Sequence, residues 1–382
     1  MVEYRKARPE EFDALYTFAN MVFNHKNDPI CFQRDLTKVY GPNADKAFVA
    51  NMHHIAVDAE QGIRALIAAL PGVLHLGNET LKTAFIGSVS VHMDARGEGH
   101  MKKLMQMVMD DAAANSADLL LLSGQRQRYG YFGFEVAGHQ WTFEINRANA
   151  RHALREIDAS DFRFERIEHS SDSRLEGIYA AMSAQPIRFE RDRAHLLEIC
   201  ESYARILWAV MRGENCVGYV ISNADHSEWA EVGLSTGELL DAAAKAWLAQ
   251  FDLHILKLAL PDWEVGLRTH LGAYSEDTWL TKCTMAHILN PRRVLPAMLS
   301  AKAGYANLPD GELSLNVDGD CFDLRLCNGV ATVESGNRGA ALELSAQQLS
   351  RAAFAPFSYE GQPATPQGWF PLPIYASVPD TF

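Results

Sequence analysis

Between Gly87 and Asp111 the hydrophobic pattern changes period. Ser88, Ser90 and His92 alternate with Val89, Val91 and Met93, the two-residue repeat of a strand. Arg96-Gly97-Glu98-Gly99 follows as a tight glycine-bearing turn. Met101, Leu104, Met105, Val108 and Ala112 then fall at i, i+3, i+4, i+7 and i+11, one apolar face of a helix. Before this stretch, Glu3–Lys6 reads as a strand. A helix begins at Pro9, with Phe12, Leu15, Tyr16, Ala19, Val22 and Phe23 on its inner face. His54–Val57 and Ile63–Leu70 form a hairpin around Glu60-Gln61-Gly62, and Leu81–Val91 leads into the glycine turn. After the helix, Asp118–Leu122 is a short buried strand with Ser123, Gly124 and Gln125 at its carboxyl end, where ligands of α/β sheets gather.

A second block repeats the order hairpin, strand, helix, strand. Ala150–Ile157 reads as a connection and Phe162–Ile167 as a strand. Arg205–Met211 and Val217–Ser222 pair around Arg212-Gly213-Glu214-Asn215, and Trp229–Leu234 is a further strand. Ser235-Thr236-Gly237-Glu238 predicts a capping box for the helix bearing Leu240, Ala243, Ala244, Trp247, Leu248 and Phe251. His254–Leu260 closes the block. A third block starts with a helix over Asn290–Met298, with Pro291 at its first position. Strands follow at Glu312–Val317, Cys321–Leu326 and Val330–Glu334, joined by the hairpin signals Asp318-Gly319 and Asn328-Gly329. Leu342–Leu344 and a helix over Ala346–Phe354 precede an apolar tail holding Trp369, Phe370, Leu372, Ile374, Tyr375 and Val378.

At 382 residues the chain is too long for one compact core and suits two or three domains. Its net charge of −13 disfavours nucleic acid and anionic membrane as partners and favours a cationic one. The six cysteines include no C-x-x-C. Cys321 and Cys327 would stand ~20 Å apart along a strand, so the expectation is free thiols and a cytoplasmic location. MVEYRKARPEEF lacks an apolar signal core, and no run reaches transmembrane length. His53 and His54 are strand neighbours pointing to opposite faces, and no metal site is expected.

A strand, a glycine turn and a helix start together make an anion cradle. The first N–H groups of the helix have no internal partner, its dipole favours negative charge, and glycine lets a phosphate approach the backbone. The full string V-x-V-x-x-x-x-R-x-x-G resembles the pyrophosphate loop of the GNAT N-acetyltransferases, which hold acetyl-coenzyme A. Met101 departs from the usual glycine or alanine of that loop, as in the Eis-like (enhanced intracellular survival) branch. Arg128-Tyr129-Gly130-Tyr131-Phe132-Gly133-Phe134 carries a second signature, Y-G-x-F-G-F, which resembles the same branch. Tyr131, Phe132 and Phe134 read as packing residues.

The resemblance implies an α+β (α/β) architecture. It comprises a catalytic GNAT domain over 1–150, a degenerate GNAT-like domain over 151–285, and a sterol-carrier-like domain over 286–382 that delivers the tail to the active site. Acetyl-CoA would lie on Val89, Ser90, Val91, Arg96, Gly97, Glu98, Gly99, His100, Met101, Lys102, Gly124 and Gln125. Lys102 and Lys103 offset Glu98. The implied general acid is Tyr129, and the implied general base is the terminal carboxylate of Phe382. A carboxylate near pKa ~3.5 is a poor base in water, so the second role requires a buried tail. Nothing suggests a covalent intermediate, since no G-x-S-x-G or Cys–His pairing stands out. The expected acceptor is a cationic small-molecule amine, aminoglycoside-like or lysine-like, and the expected assembly is a hexamer. Asp28 is a candidate wall of the acceptor pocket. A lipid- or sterol-binding role for the third domain is the alternative from a different class.

Overall fold

The computed structural model describes residues 1–24, 31–336 and 341–382, so Asp28 lies outside the described residues. The fold is mixed α/β and divides into two compact units. One comprises Met1–Gly138, Thr284–Ile374 and Thr381–Phe382, and the other His139–Cys283 and Tyr375–Asp380.

The first unit is built on β1 (Val2–Lys6), β2 (His53–Asp58), β3 (Gly62–Leu76), β4 (Glu79–Val91) and β5 (Leu119–Leu122), hydrogen-bonded in that order. All neighbours run antiparallel except β4 and β5, whose pairing is parallel from Thr83–Leu119 to Ile86–Leu122. A parallel pair needs a crossover, and the helix His100–Ala114 supplies it. Leu104, Met105 and Val108 on its apolar face pack over Ile67, Ile86, Leu120 and Leu122. Leu15, Phe18 and Ala50 pack against Ile55 and Leu66 in a separate cluster. Adjacent residues on each strand thus serve different cores, as the two-residue period requires. β3 runs through Pro71 to Leu76, past the expected end at Leu70, and turns at Gly77 into β4.

The same unit contains a four-stranded sheet ordered Val330–Ser335, Asp320–Cys327, Gly311–Val317 and Leu342–Leu344. Both expected hairpin turns form, with Asp318, Gly319, Asn328 and Gly329 all at positive φ. The helices Pro291–Ala303 and Ala346–Phe354 accompany it. Trp369 is fully buried, and its indole N–H donates to Pro309 O at 3.0 Å.

In the second unit the strands run in the order Glu135–Asn146, Ile255–Leu260, Glu228–Gly233, Asn215–Ser222, Ile206–Arg212 and Phe162–Arg166. The parallel pair Glu228–Gly233 with Ile255–Leu260 is bridged by the helix Gly237–Gln250. Three local expectations change. The helix Arg147–Ala153, capped reciprocally by Asn146 and Asn149, takes in residues 150–153 of the expected connection. The cap of Gly237–Gln250 is Thr236, whose side chain accepts from Leu239 N, rather than a box begun by Ser235. In the first unit Tyr131 is 67% exposed, with Lys102 Nζ 5.3 Å above its ring, and packs no core. Phe134 is fully buried, as expected of a packing residue.

Candidate active site

β4 is the element that positions the site. Its pairing with β5 stops at Ile86–Leu122, yet β4 continues to Val91. Beyond that point its β5-facing edge has no strand partner among the described residues. Opposite β3 the register slips, because Leu66 faces Ser90 while Ala68 faces Gly87. Ser88 and Val89 therefore stand opposite Ile67 alone, a β-bulge. Ser88 carries the distortion at φ +52°. The expected alternation of burial persists from Ser88 to Val91 despite the bulge and ends before His92. Ser88 and Ser90 are buried, Val89 and Val91 half-buried, and His92 lies past the strand end.

Two side chains flank the place where the strands part. An ideal Cβ on Gly87 would lie 2.7 Å from the carboxyl carbon of Phe382 and 2.7 Å from its Cδ1. Only glycine leaves room for the last residue here. An ideal Cβ on Gly124 would lie 2.3 Å from Cε2 of Tyr129. Gly87 is one residue past the last paired residue of β4, and Gly124 two past that of β5. Paired strands are about 4.8 Å apart, so the two glycines sit at adjoining strand ends.

Tyr129 is carried by the short helix Arg126–Gly130 and is 7% exposed. Burial pushes its phenol above the ordinary value, against a smaller downward pull from the Arg128 charge, so it stays protonated at neutral pH. Phe382 is 6% exposed. Lys38 Nζ donates to Thr381 O at 2.6 Å, and the ring of Tyr40 lies 6.5 Å from that of Phe382.

The glycine turn stands beyond the strand end. Gly97 (φ +91°) and Gly99 (φ +83°) take conformations that L side chains rarely adopt, and no atom lies within 4 Å of a Cβ built on either. The helix opens at His100, and the bond from Lys103 N to Gly99 O closes its first turn. The amides of His100, Met101 and Lys102 thus precede the helical ladder. Arg96, Glu98 and Lys102 are exposed, whereas His100 is buried. Its ring is fixed by Tyr4 OH at 2.7 Å and Glu98 Oε2 at 2.9 Å. This pairing gives the Glu98 carboxylate a partner of its own, which the sequence did not reveal. Gly99, Lys102, Lys103, Gln106, Met109, Tyr131 and Phe132 line an open cleft of about 570 Å³. Open glycines, leading amides and two lysines suit a pyrophosphate-bearing ligand. Gly124 and Gln125 are exposed at the end of β5.

A buried polar chain that sequence reasoning missed lies beside the bulge. Ser88 Oγ is 2.8 Å from Tyr40 OH, Tyr40 OH is 2.8 Å from His53 Nε2, and His53 Nδ1 is 2.6 Å from Val49 O. His54 points away and lies 3.9 Å from Asp111. Among the described residues no group of three or more His, Cys, Asp or Glu is arranged to hold a metal ion. No described helix is long and apolar enough to cross a membrane.

Residues 3–137 match the family model described as an acetyltransferase (GNAT) domain. No curated protein sequence matches the chain. Among solved structures, a GCN5-related N-acetyltransferase from Anabaena variabilis is 17% identical with a TM-score of 0.66, over 94% of this chain and 91% of that one. One from Kribbella flavida is 14% identical with a TM-score of 0.65, over 92% and 88%. Eis1 from Mycobacterium abscessus is 14% identical with a TM-score of 0.59, over 92% and 89%. At these identities the likeness is one of fold.

Proposed function

We propose, from the premise that residues 3–137 are an acetyltransferase (GNAT) domain, that the chain transfers acetyl from acetyl-CoA to a primary amine of a cationic small molecule. GNAT domains use acetyl-CoA as the acetyl donor, and the open turn at Gly97–Gly99 suits its pyrophosphate. In this reading the acceptor nitrogen attacks the thioester carbonyl directly. The C–N bond forms, the C–S bond breaks, and two protons move. The nitrogen's proton passes to the terminal carboxylate of Phe382. The departing thiolate takes the phenolic proton of Tyr129. Amides on the free edge of β4, at Val89 and Val91, polarise the carbonyl as negative charge develops on its oxygen.

The observation that carries this reading is the placement of Phe382 on Gly87 and Tyr129 on Gly124, at adjoining ends of the parallel pair β4 and β5. A base held at the chain terminus has to be kept out of water, and Phe382 is 6% exposed. The net charge of −13 agrees with a cationic acceptor, aminoglycoside-like or lysine-like.

The second βαβ block is read as a degenerate copy without coenzyme. An ideal Cβ on Gly237, at its helix start, would meet the His270 ring at 2.7 Å, and the Thr236 side chain already occupies the Leu239 amide. The block after residue 286 is read as a sterol-carrier-like module that delivers the tail, in an Eis-like hexameric and cytoplasmic protein. The test is an acetyl-transfer screen over polyamines, aminoglycosides and lysine-bearing peptides. It is run on the wild type, on Tyr129→Phe, and on a variant with residues appended after Phe382. Both variants should bind acetyl-CoA and turn over poorly. Full turnover by the extended chain would remove the terminal carboxylate from the mechanism.

A further inference from the structure

The left-handed residue in β4 is a serine, not a glycine. An L residue in that region is disfavoured by roughly a factor of ten or more in population, so something must hold it. The buried chain beside it does so, and every proton in that chain can be placed. Val49 O only accepts, so His53 Nδ1 carries hydrogen and donates to it. His53 is fully buried, and burial pushes its pKa down to about 4, so the ring is neutral and Nε2 is an acceptor. Tyr40 therefore donates to Nε2, and its oxygen accepts the hydroxyl hydrogen of Ser88. On the other side, Ser90 Oγ donates to Ser88 O at 2.9 Å. The bulge is thus gripped through both its side chain and its carbonyl.

We propose that Tyr40 and His53 are positioning residues for acetyl transfer: by locking Ser88 in its left-handed bulge, they aim the free edge of β4 at the thioester carbonyl and fix the seat of Phe382 at Gly87. This rests on the acetyl-transfer reading above. Neither residue touches the reacting atoms in this account. Their effect passes through one backbone conformation, and that makes the proposal separable from a general loss of packing. A glycine at 88 takes positive φ without strain and needs no grip. An alanine needs the grip and keeps only the one on its carbonyl, from Ser90 Oγ.

The test needs no acceptor. Acetyl-CoA labelled with carbon-13 at the carbonyl is bound to the full-length protein, and its carbonyl stretch is read by isotope-edited difference infrared spectroscopy. Calorimetry gives the affinity for acetyl-CoA alongside. The wild type should lower the stretch relative to free acetyl-CoA. Tyr40→Phe and Ser88→Ala should each lose most of that shift at nearly unchanged affinity. Ser88→Gly should retain it, and adding Ser88→Gly to Tyr40→Phe should restore it. Should Tyr40→Phe fail to fold, the Ser88→Ala and Ser88→Gly pair decides alone. A wild type with no shift, a full shift in Ser88→Ala, or equal loss in Ser88→Ala and Ser88→Gly would each overturn the proposal. A wild type with no affinity for acetyl-CoA would instead sink the acetyl-transfer reading itself.

Discussion

Gly87→Ala is a direct way to move the terminal carboxylate without touching the glycine turn at Gly97–Gly99. The added Cβ would stand 2.7 Å from the carboxyl carbon of Phe382, where ordinary contact begins at 3.4 Å. The terminal residue must therefore retreat by 3.4 − 2.7 = 0.7 Å or more. Gly87 does not adopt positive φ, so alanine meets no backbone strain and the effect is one of space alone. Overpacking of this kind costs about 1–3 kcal/mol of stability. A displacement near 1 Å at a reacting group costs about a hundredfold in rate. The assay is release of the coenzyme A thiol at saturating amine, with acetyl-CoA varied. The expected result is a kcat about a hundredfold lower with KM for acetyl-CoA nearly constant. Gly72→Ala is the control, because its Cβ would meet only the rotatable Thr83 Oγ1, at 3.1 Å, and turnover should persist. Wild-type kcat in a folded Gly87→Ala protein would refute the idea that the last residue works where it rests.

Tyr129→Phe should lower kcat by roughly 10²–10⁴-fold and leave acetyl-CoA affinity intact. Because burial holds the phenol above its ordinary value, the alkaline fall in kcat should lie above pH 10, and a limb well below that would exclude Tyr129 as the acid. Gly99→Ala forces a side chain to φ +83° at a cost of roughly 1–2 kcal/mol, and calorimetry should show weaker acetyl-CoA binding. Burial pushes the His53 imidazole from its ordinary 6.5 down to about 4 in the folded chain, so the unfolded chain binds the proton first as pH falls. Stability is therefore full above pH 6.5 and declines toward pH 4 by about 3 kcal/mol, and denaturant melts of His53→Gln should show a flatter profile over that window. In the second unit, buried Arg191 pairs with Glu231 at 2.7 Å and Asp380 at 2.8 Å, so Arg191→Met should cost roughly 3–5 kcal/mol by thermal or denaturant melting. Adding Glu231→Gln and Asp380→Asn to that variant should recover part of the loss.

What the sequence made legible follows from locality. The helix after Gly99 and the Asp318-Gly319 and Asn328-Gly329 turns rest on neighbours a few residues apart, and all form. The buried tail was legible from composition alone, since Trp369, Leu372, Ile374 and Tyr375 are costly to leave in water. The bulge was not legible, because serine carries no signature for positive φ and its support comes from Tyr40 and His53, which lie far away along the chain. Gly87 looked like an ordinary strand residue, because the atom that needs its missing Cβ belongs to Phe382. Tyr131 reads as core in the sequence because an aromatic in a packing string has no local sign of exposure; the cation over its ring comes from Lys102 on the helix His100–Ala114.

The two βαβ blocks differ in what their glycine turns leave open to a ligand. Each has a parallel strand pair, a glycine loop and a long crossover helix. In the first, positive φ at Gly97 and Gly99 turns the backbone outward into open space, and the helix begins with no side-chain cap. In the second, a threonine oxygen fills the capping position and an imidazole, held by Asp241 at 2.9 Å, packs on the first glycine of the helix. A cap worth about 1 kcal/mol stabilises the second helix and uses an amide that an anion would need. Leaving the first helix uncapped forgoes that gain, which is the pattern expected where a ligand completes the terminus. Substituting Thr236 or His270 should therefore destabilise the second unit without conferring coenzyme affinity, since no arginine precedes its glycines as Arg96 precedes Gly97.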